Sequence, residues 1–140
     1  MFSVLILAAI TVNSQDFKKA KINVKKLINT EFSIYIEPIG NDRLMVIDLF
    51  RNSLTANGFK ITQDKTVCNY LITINYDHRS DTGCGGRVIK DLSGQIMDVK
   101  NNAEIVATIE FNQNAFEGKC ASEIMNALSL KLKEENNKLK

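Results

Sequence analysis

The sequence predicts an α+β two-layer sandwich, with two helices on one face of a mainly antiparallel sheet in the order β-α-β-β-β-α. Three observations carry that expectation. Residues 32–36 and 70–75 alternate apolar and polar side chains as strands do, whereas Leu44, Ile47, Phe50 and Leu54, and later Ile124, Ala127, Leu128 and Leu132, recur at helical spacing. Two long strand candidates, residues 88–99 and 103–113, flank Lys100, Asn101 and Asn102, which make a good hairpin turn. The opening strand-helix-strand unit must cross over right-handed, so the strands of Ile34 and Ile72 are expected to be parallel or next-but-one neighbours.

The elements follow in order. Residues 2–12 (FSVLILAAITV) form an apolar run that suits the core of a signal peptide and falls short of the ~20 residues a membrane-spanning helix needs. Val12 and Ser14 occupy the small-residue positions ahead of Gln15, so a signal peptide over residues 1–14, cleaved after Ser14, is expected. No lysine or arginine precedes the run, which leaves the α-amino group as its only positive charge. A lysine-rich segment follows over residues 15–30, with a pattern neither helical nor alternating, and reads as a solvated face or an edge strand. A single α+β domain is then expected over residues 31–133.

Within it, Phe32, Ile34 and Ile36 alternate up to Pro38, which closes the first strand. Gly40, Asn41 and Asp42 supply a turn and an N-cap, predicting a helix over 42–57, and Gly58 sits where a left-handed C-terminal residue belongs, with Phe59 as its apolar contact. The strand around Tyr70, Ile72 and Ile74 has two fairly apolar faces and is expected to be mostly buried. Residues 77–86 (DHRSDTGCGG) are polar and glycine-rich, hence a loop. The last helix starts from about Lys119 and runs into a charged tail, residues 134–140, whose end is expected to fray.

Composition excludes more than it names. Eighteen basic against sixteen acidic side chains leave a net charge of +2, too balanced to point to nucleic acid or an acidic membrane surface. Aromatic residues make up 7%, tryptophan is absent and there is one histidine, so stacking platforms and multi-histidine metal centres lack material. Cys68, Cys84 and Cys120 are an odd number for an exported chain, which favours one disulfide and one further thiol. Cys84 and Cys120 lie at loop edges and are the favoured pair; Cys68 immediately precedes a buried strand and suits a small core residue. The three cysteines and His78 lie 10, 6 and 36 residues apart, without the short chelate a structural zinc site uses, so no metal and no cofactor is expected.

The chemically varied loop holds Asp77, His78, Asp81 and Cys84. Asp81, Thr82 and Gly83 spell the aspartic-protease triplet, but it does not directly follow a hydrophobic strand and no second triplet exists, so a turn explains it better. Gly83, Gly85 and Gly86 lack the lysine and hydroxyl residue of a phosphate loop. His78 could act as a base only toward Ser80 or Cys84, and no nucleophile elbow is present. Glu134 and Glu135 lie on the polar tail, where solvation is the expected role.

With that order of elements, residues 32–132 resemble the small α+β domain of periplasmic auxiliary proteins, including the amino-terminal domain of the TolB type and related uncharacterised envelope proteins. The likeness rests on the strand FSIYIEP, the helix end LTANGFKIT, the strand NYLITINY, the hairpin SGQIMDVKNNAEIVATIEF and the helix ASEIMNALSLKL. The chain departs from that type in carrying no β-propeller after the domain. The resemblance implies an interaction or assembly module of the envelope and brings no catalytic residues with it. The expectation is therefore a secreted or periplasmic, non-enzymatic binding or assembly protein whose partner is another envelope protein. Its contact surface is expected on the uncovered sheet face or on an exposed edge, either the strand of Ile34 or that of residues 103–113. The rival is a small hydrolase-like enzyme centred on Asp77, His78, Asp81 and Cys84, which requires those side chains to converge in a pocket.

Overall fold

The computed structural model describes residues 20–112 and 119–140. The apolar run, the cleavage point after Ser14 and the first lysines of the basic segment lie outside the described residues. Six strands and two longer helices follow one another as β1 (Lys21–Val24), β2 (Ser33–Ile36), α1 (Val46–Ala56), β3 (Lys60–Ile61), β4 (Tyr70–Ser80), β5 (Arg87–Asp98), β6 (Glu104–Phe111) and α2 (Ala121–Asn137). Short 3₁₀ turns at Lys65–Val67 and Cys84–Gly86 precede β4 and β5 respectively. The strands form one mixed sheet in the order β1-β6-β5-β4-β2-β3. β1, β6, β5 and β4 pair antiparallel, and β2 runs parallel to both β4 and β3. The α+β sandwich is thus as expected, with two short strands, β1 and β3, added at the edges.

Those edge strands correct one expectation. Neither the strand of Ile34 nor that of residues 103–113 is an open edge. The lysine-rich segment supplies β1, which covers β6 from Lys21 opposite Glu110 to Val24 opposite Ala107. Lys60 and Ile61 form β3 beside Ser33 and Ile34. The true edges are therefore four and two residues long and carry lysines, a pattern that discourages pairing with a foreign strand.

The core lies between the sheet and the helices. Ile34, Ile36, Ile72, Ile74, Ile96 and Ile109 point one way from the sheet and meet Phe50 and Leu54 of α1 and Ile124, Leu128 and Leu132 of α2 in one buried cluster. Burying a side chain of this size stabilises by roughly 1.5–3 kcal/mol. Gly94 sits in the middle of β5, where an added Cβ would come within 3.0 Å of the Thr73 carbonyl oxygen. That close approach explains a glycine at a strand interior that otherwise favours branched residues.

The start of α1 is displaced from the expected position. Its first helical residue is Val46, yet Asp42 still caps it: the Val46 and Ile47 amides donate to the two Asp42 carboxylate oxygens at 2.8 and 2.9 Å. The Tyr76 hydroxyl donates to the same carboxylate at 2.7 Å and accepts from the Leu44 amide at 3.1 Å. Met45, in the left-handed region at φ 54°, makes the turn between them. At the other end Gly58 has φ 89°, and the Phe59 and Gly58 amides donate to the Leu54 and Thr55 carbonyls at 3.0 and 3.1 Å, the paired bonds of a Schellman motif.

One further expectation changes. β4 extends through Ser80, so residues 77–80 are strand and the loop shrinks to residues 81–86. The reason is cross-strand pairing with β5, which continues past a bulge at Lys90 to Ser80 opposite Arg87. The last helix runs well into the charged tail, and only residues 138–140 lie beyond it. α2 continues to Asn137 because Asn136 is buried, accepting from the Ile28 amide at 2.7 Å and donating to the Ile28 carbonyl at 3.0 Å. Lys131 donates to the Ala20 carbonyl from the same helix.

Candidate functional site

The residues singled out in the loop are positioned by the β4–β5 ribbon. Asp77 and His78 are consecutive on β4 and so project to opposite faces of the sheet. Asp77 stands opposite Asp91, at the bulge, and faces away from the helices. On the other face an Arg87 guanidinium nitrogen donates to His78 Nδ1 at 3.1 Å, which fixes that nitrogen as an acceptor. Asp81 turns back on its own loop: its Oδ1 accepts from the Gly83 amide at 3.1 Å, and Arg79 lies 3.9 Å from its other oxygen. Cys84 is joined to Cys120 by a disulfide, with the Cα atoms 5.4 Å apart.

Among the described residues, these four side chains are not brought together in one pocket. The sulfur of Cys84 is committed to a covalent bond, and the depression that Asp77 lines holds Asn75, Asp91 and Ser93 but none of His78, Asp81 or Cys84. Among the described residues, no three His, Cys, Asp or Glu side chains group as a metal site. Cys68, the remaining cysteine, is a buried free thiol that donates to the Lys65 carbonyl at 3.2 Å.

The broader feature is the face of the sheet that the helices leave open. Strand β4, with two fairly apolar faces and expected to be mostly buried, is buried on one face, while Leu71 and Thr73 are half-buried and Asn75 is exposed on the other because both helices lie against the first. Across the middle of this open face Thr73, Asn75, Ser93, Gln95, Thr108 and Glu110 line a shallow depression of about 300 Å³. Beside it a row of larger side chains crosses four strands: Tyr35 pairs with Leu71, Leu71 with Met97 and Met97 with Ile105. None of the four is buried, and Ile105 is 37% exposed. Sequence reading missed this row because its members belong to separate strands and meet only through register. The alternation within each strand was visible; which face would stay open was not.

Two charged groups beside this end of the sheet are tuned locally. Asp64 is held below the usual carboxylate range by the Thr66 hydroxyl and then by the Thr66 amide, both of which donate to it. Lys65 is raised by its hydrogen bond to Glu37.

No family model matches the chain, and no curated protein matches it in sequence. Solved structures do. The PelC dodecamer from Paraburkholderia phytofirmans is similar in two crystal structures. One, of a single-site variant, has a TM-score of 0.56 at 14% identity over 84% of this chain and 97% of its own. The other has a TM-score of 0.54 at 16% identity over 84% and 95%. A PDZ domain protein from Parabacteroides distasonis matches with a TM-score of 0.53 and 15% identity over 83% of this chain, which spans 35% of that protein. A DUF4136 family protein from Bacteroides thetaiotaomicron is 12% identical over 85% and 93%, with a TM-score of 0.48. At these identities the likeness to PelC and to the PDZ domain protein is one of fold. Among the described residues, no helix is long and apolar enough to cross a membrane.

Proposed function

We propose that this chain is an exported, non-enzymatic binding or assembly module of the cell envelope that works by contact through its open sheet face. The observation that carries the reading is the row Tyr35, Leu71, Met97 and Ile105 beside a polar field, on a face that none of the described helices covers. A disulfide supports an oxidising compartment, and the apolar run ahead of Gln15 supports export to it. The resemblance to TolB-type amino-terminal domains points the same way. So does the PelC fold likeness, since that protein is a dodecamer and shows the architecture serving a multi-copy assembly. The partner is another envelope protein or further copies of this chain. The rival, a hydrolase built on Asp77, His78, Asp81 and Cys84, would need a free Cys84 thiol, and that sulfur is bonded to Cys120.

Two measurements test the reading. Intact mass of protein recovered unreduced from its native host, alkylated after denaturation, should show a chain starting at Gln15 with one alkylated thiol; a full-length chain with three alkylated thiols would overturn export. A photo-crosslinking residue at Thr108 should capture a protein in the envelope fraction, whereas the same group at Asn52, on the outer surface of α1, should not. Equal capture from both positions would remove the open face as the contact surface.

A further inference from the structure

We propose that the Cys84–Cys120 disulfide is a directional thiol-exchange site, at which an incoming thiolate attacks Cys84 and expels Cys120. A dithiol protein partner would then open the link between the β4–β5 tip and α2 through a mixed disulfide on Cys84. Exchange requires an accessible sulfur to attack and a good leaving thiolate, and the two cysteines differ in both respects.

Cys84 is exposed at the tip of the ribbon, between Gly83 and Gly85, with no bulky neighbour on either side in the chain. Cys120 is half-buried and is the N-cap residue of α2, a helix of 17 residues. A thiolate released there meets the Glu123 amide, which already faces the Cys120 side chain, and the positive end of the helix, both of which favour the anion. Glu123 opposes this in part: its carboxylate accepts from the Cys120 amide at 3.4 Å and lies 3.7 Å from the Lys119 ammonium.

The tip is built to survive the opening. Asp81 and Gly86 are joined by a backbone bond of 3.0 Å from the Asp81 amide, the Gly86 amide donates to Gly83 at 3.0 Å, and the Gly83 amide donates to the Asp81 side chain at 3.1 Å. These bonds hold the turn without the sulfur. Cys84 itself sits at φ 56°, a conformation unfavourable for a residue with a Cβ, so release of the link also removes a constraint on that position. Opening therefore frees the start of α2 from the ribbon and leaves the ribbon formed.

The chemistry balances without a further oxidant. The partner's first thiolate bonds to Cys84 sulfur as the Cys84–Cys120 bond breaks, and the electron pair leaves on Cys120 sulfur, which takes up a proton. The partner's second thiolate then attacks the mixed disulfide and displaces Cys84 as its thiolate. The partner dithiol is oxidised to a disulfide and the chain's disulfide is reduced to two thiols. The reverse sequence closes the link.

The inference is independent of the envelope reading, since purified chain suffices to test it. The oxidised full chain is incubated with reduced glutathione under native conditions, quenched with acid, alkylated and mapped by peptide mass spectrometry. The expected result is glutathione on Cys84 in about tenfold or greater excess over Cys120, with Cys120 recovered alkylated. Equal or reversed labelling, or no adduct unless urea is present, overturns the proposal. Glu123→Gln, which removes the opposing charge, is expected to speed Cys120 release roughly twofold. An unchanged or slower rate removes the helix end as the cause of direction.

Discussion

The two helices lie side by side on the same face of the sheet, joined by the Ser53 hydroxyl of α1 donating to the Asn126 side chain of α2, yet they are anchored by different means. Both ends of α1 are fixed by residues close to it in the chain: Asp42 before it and the Gly58–Phe59 motif after it. Both ends of α2 are tied from afar, its start in addition to the local capping box of Cys120 and Glu123. Its start is tied through Cys120 to Cys84, 36 residues away, and its final turn through Asn136 to Ile28, 108 residues away. Local anchoring can form as soon as the helix does. Distant anchoring forms only once the sheet is in place, so α2 reports on the tertiary fold and α1 largely does not.

Substitutions sharpen that contrast in descending order. Replacing both Cys84 and Cys120 by serine should cost about 4 kcal/mol in the chain-entropy account of a loop of this length, seen as a lower urea midpoint. An unchanged midpoint would mean that the anchor at the start of α2 is not a stabilising one. Asn136→Ala leaves the buried Ile28 amide and carbonyl without partners and should cost about 3 kcal/mol, with hydrogen exchange rising at residues 25–30 first. Asp42→Ala should cost about 2 kcal/mol and loosen the first turn of α1, while leaving exchange around Ile28 as in the parent. If that variant loosened α2 equally, the two anchoring modes would not be separable.

The smallest expected effect is at Tyr76. Tyr76→Phe removes one hydrogen bond to Asp42 and one from Leu44, and should cost about 1 kcal/mol at neutral pH. Burial raises the Tyr76 hydroxyl above tyrosine's ordinary value; the Leu44 amide opposes that shift and Asp42 reinforces it. The folded chain thus holds this proton more tightly than the unfolded one. Its contribution is complete below the unfolded value and is lost as pH rises through the folded one. Stability of the parent should fall in that alkaline range, and the fall should be shallower in Tyr76→Phe.

The same contrast separates what the sequence revealed from what it concealed. Asp42, Gly58 and Phe59 announce α1 because capping chemistry acts over a few residues, and the 100–102 turn announces the β5–β6 hairpin for the same reason. Asn136 looked like part of a solvated tail because nothing near it in the chain discloses Ile28. The lysines around Ile22 read as a solvated face or an edge, but the pairing of Ile22 with Ile109 is a matter of distant register. The bulge at Lys90 extended β4 and turned Asp77 and His78 from loop neighbours into residues on opposite faces. The candidate site suffered most from this, since the open face is assembled from one or two residues of each of several strands.

The position of β1 beside β6 also constrains the timing of folding. β1 is synthesised first, yet the strand it borders is the last of the six to be made, and the segment just after it waits longer still for Asn136. A nascent chain must therefore carry Ile22 unsheltered until β6 has emerged, and Ile28 until the last turn of α2 has. During that interval those two apolar side chains are what an escorting chaperone would have most to protect. A chain stalled before the end of α2 would lack the clasp on Ile28 and leave its amide and carbonyl without the Asn136 side chain.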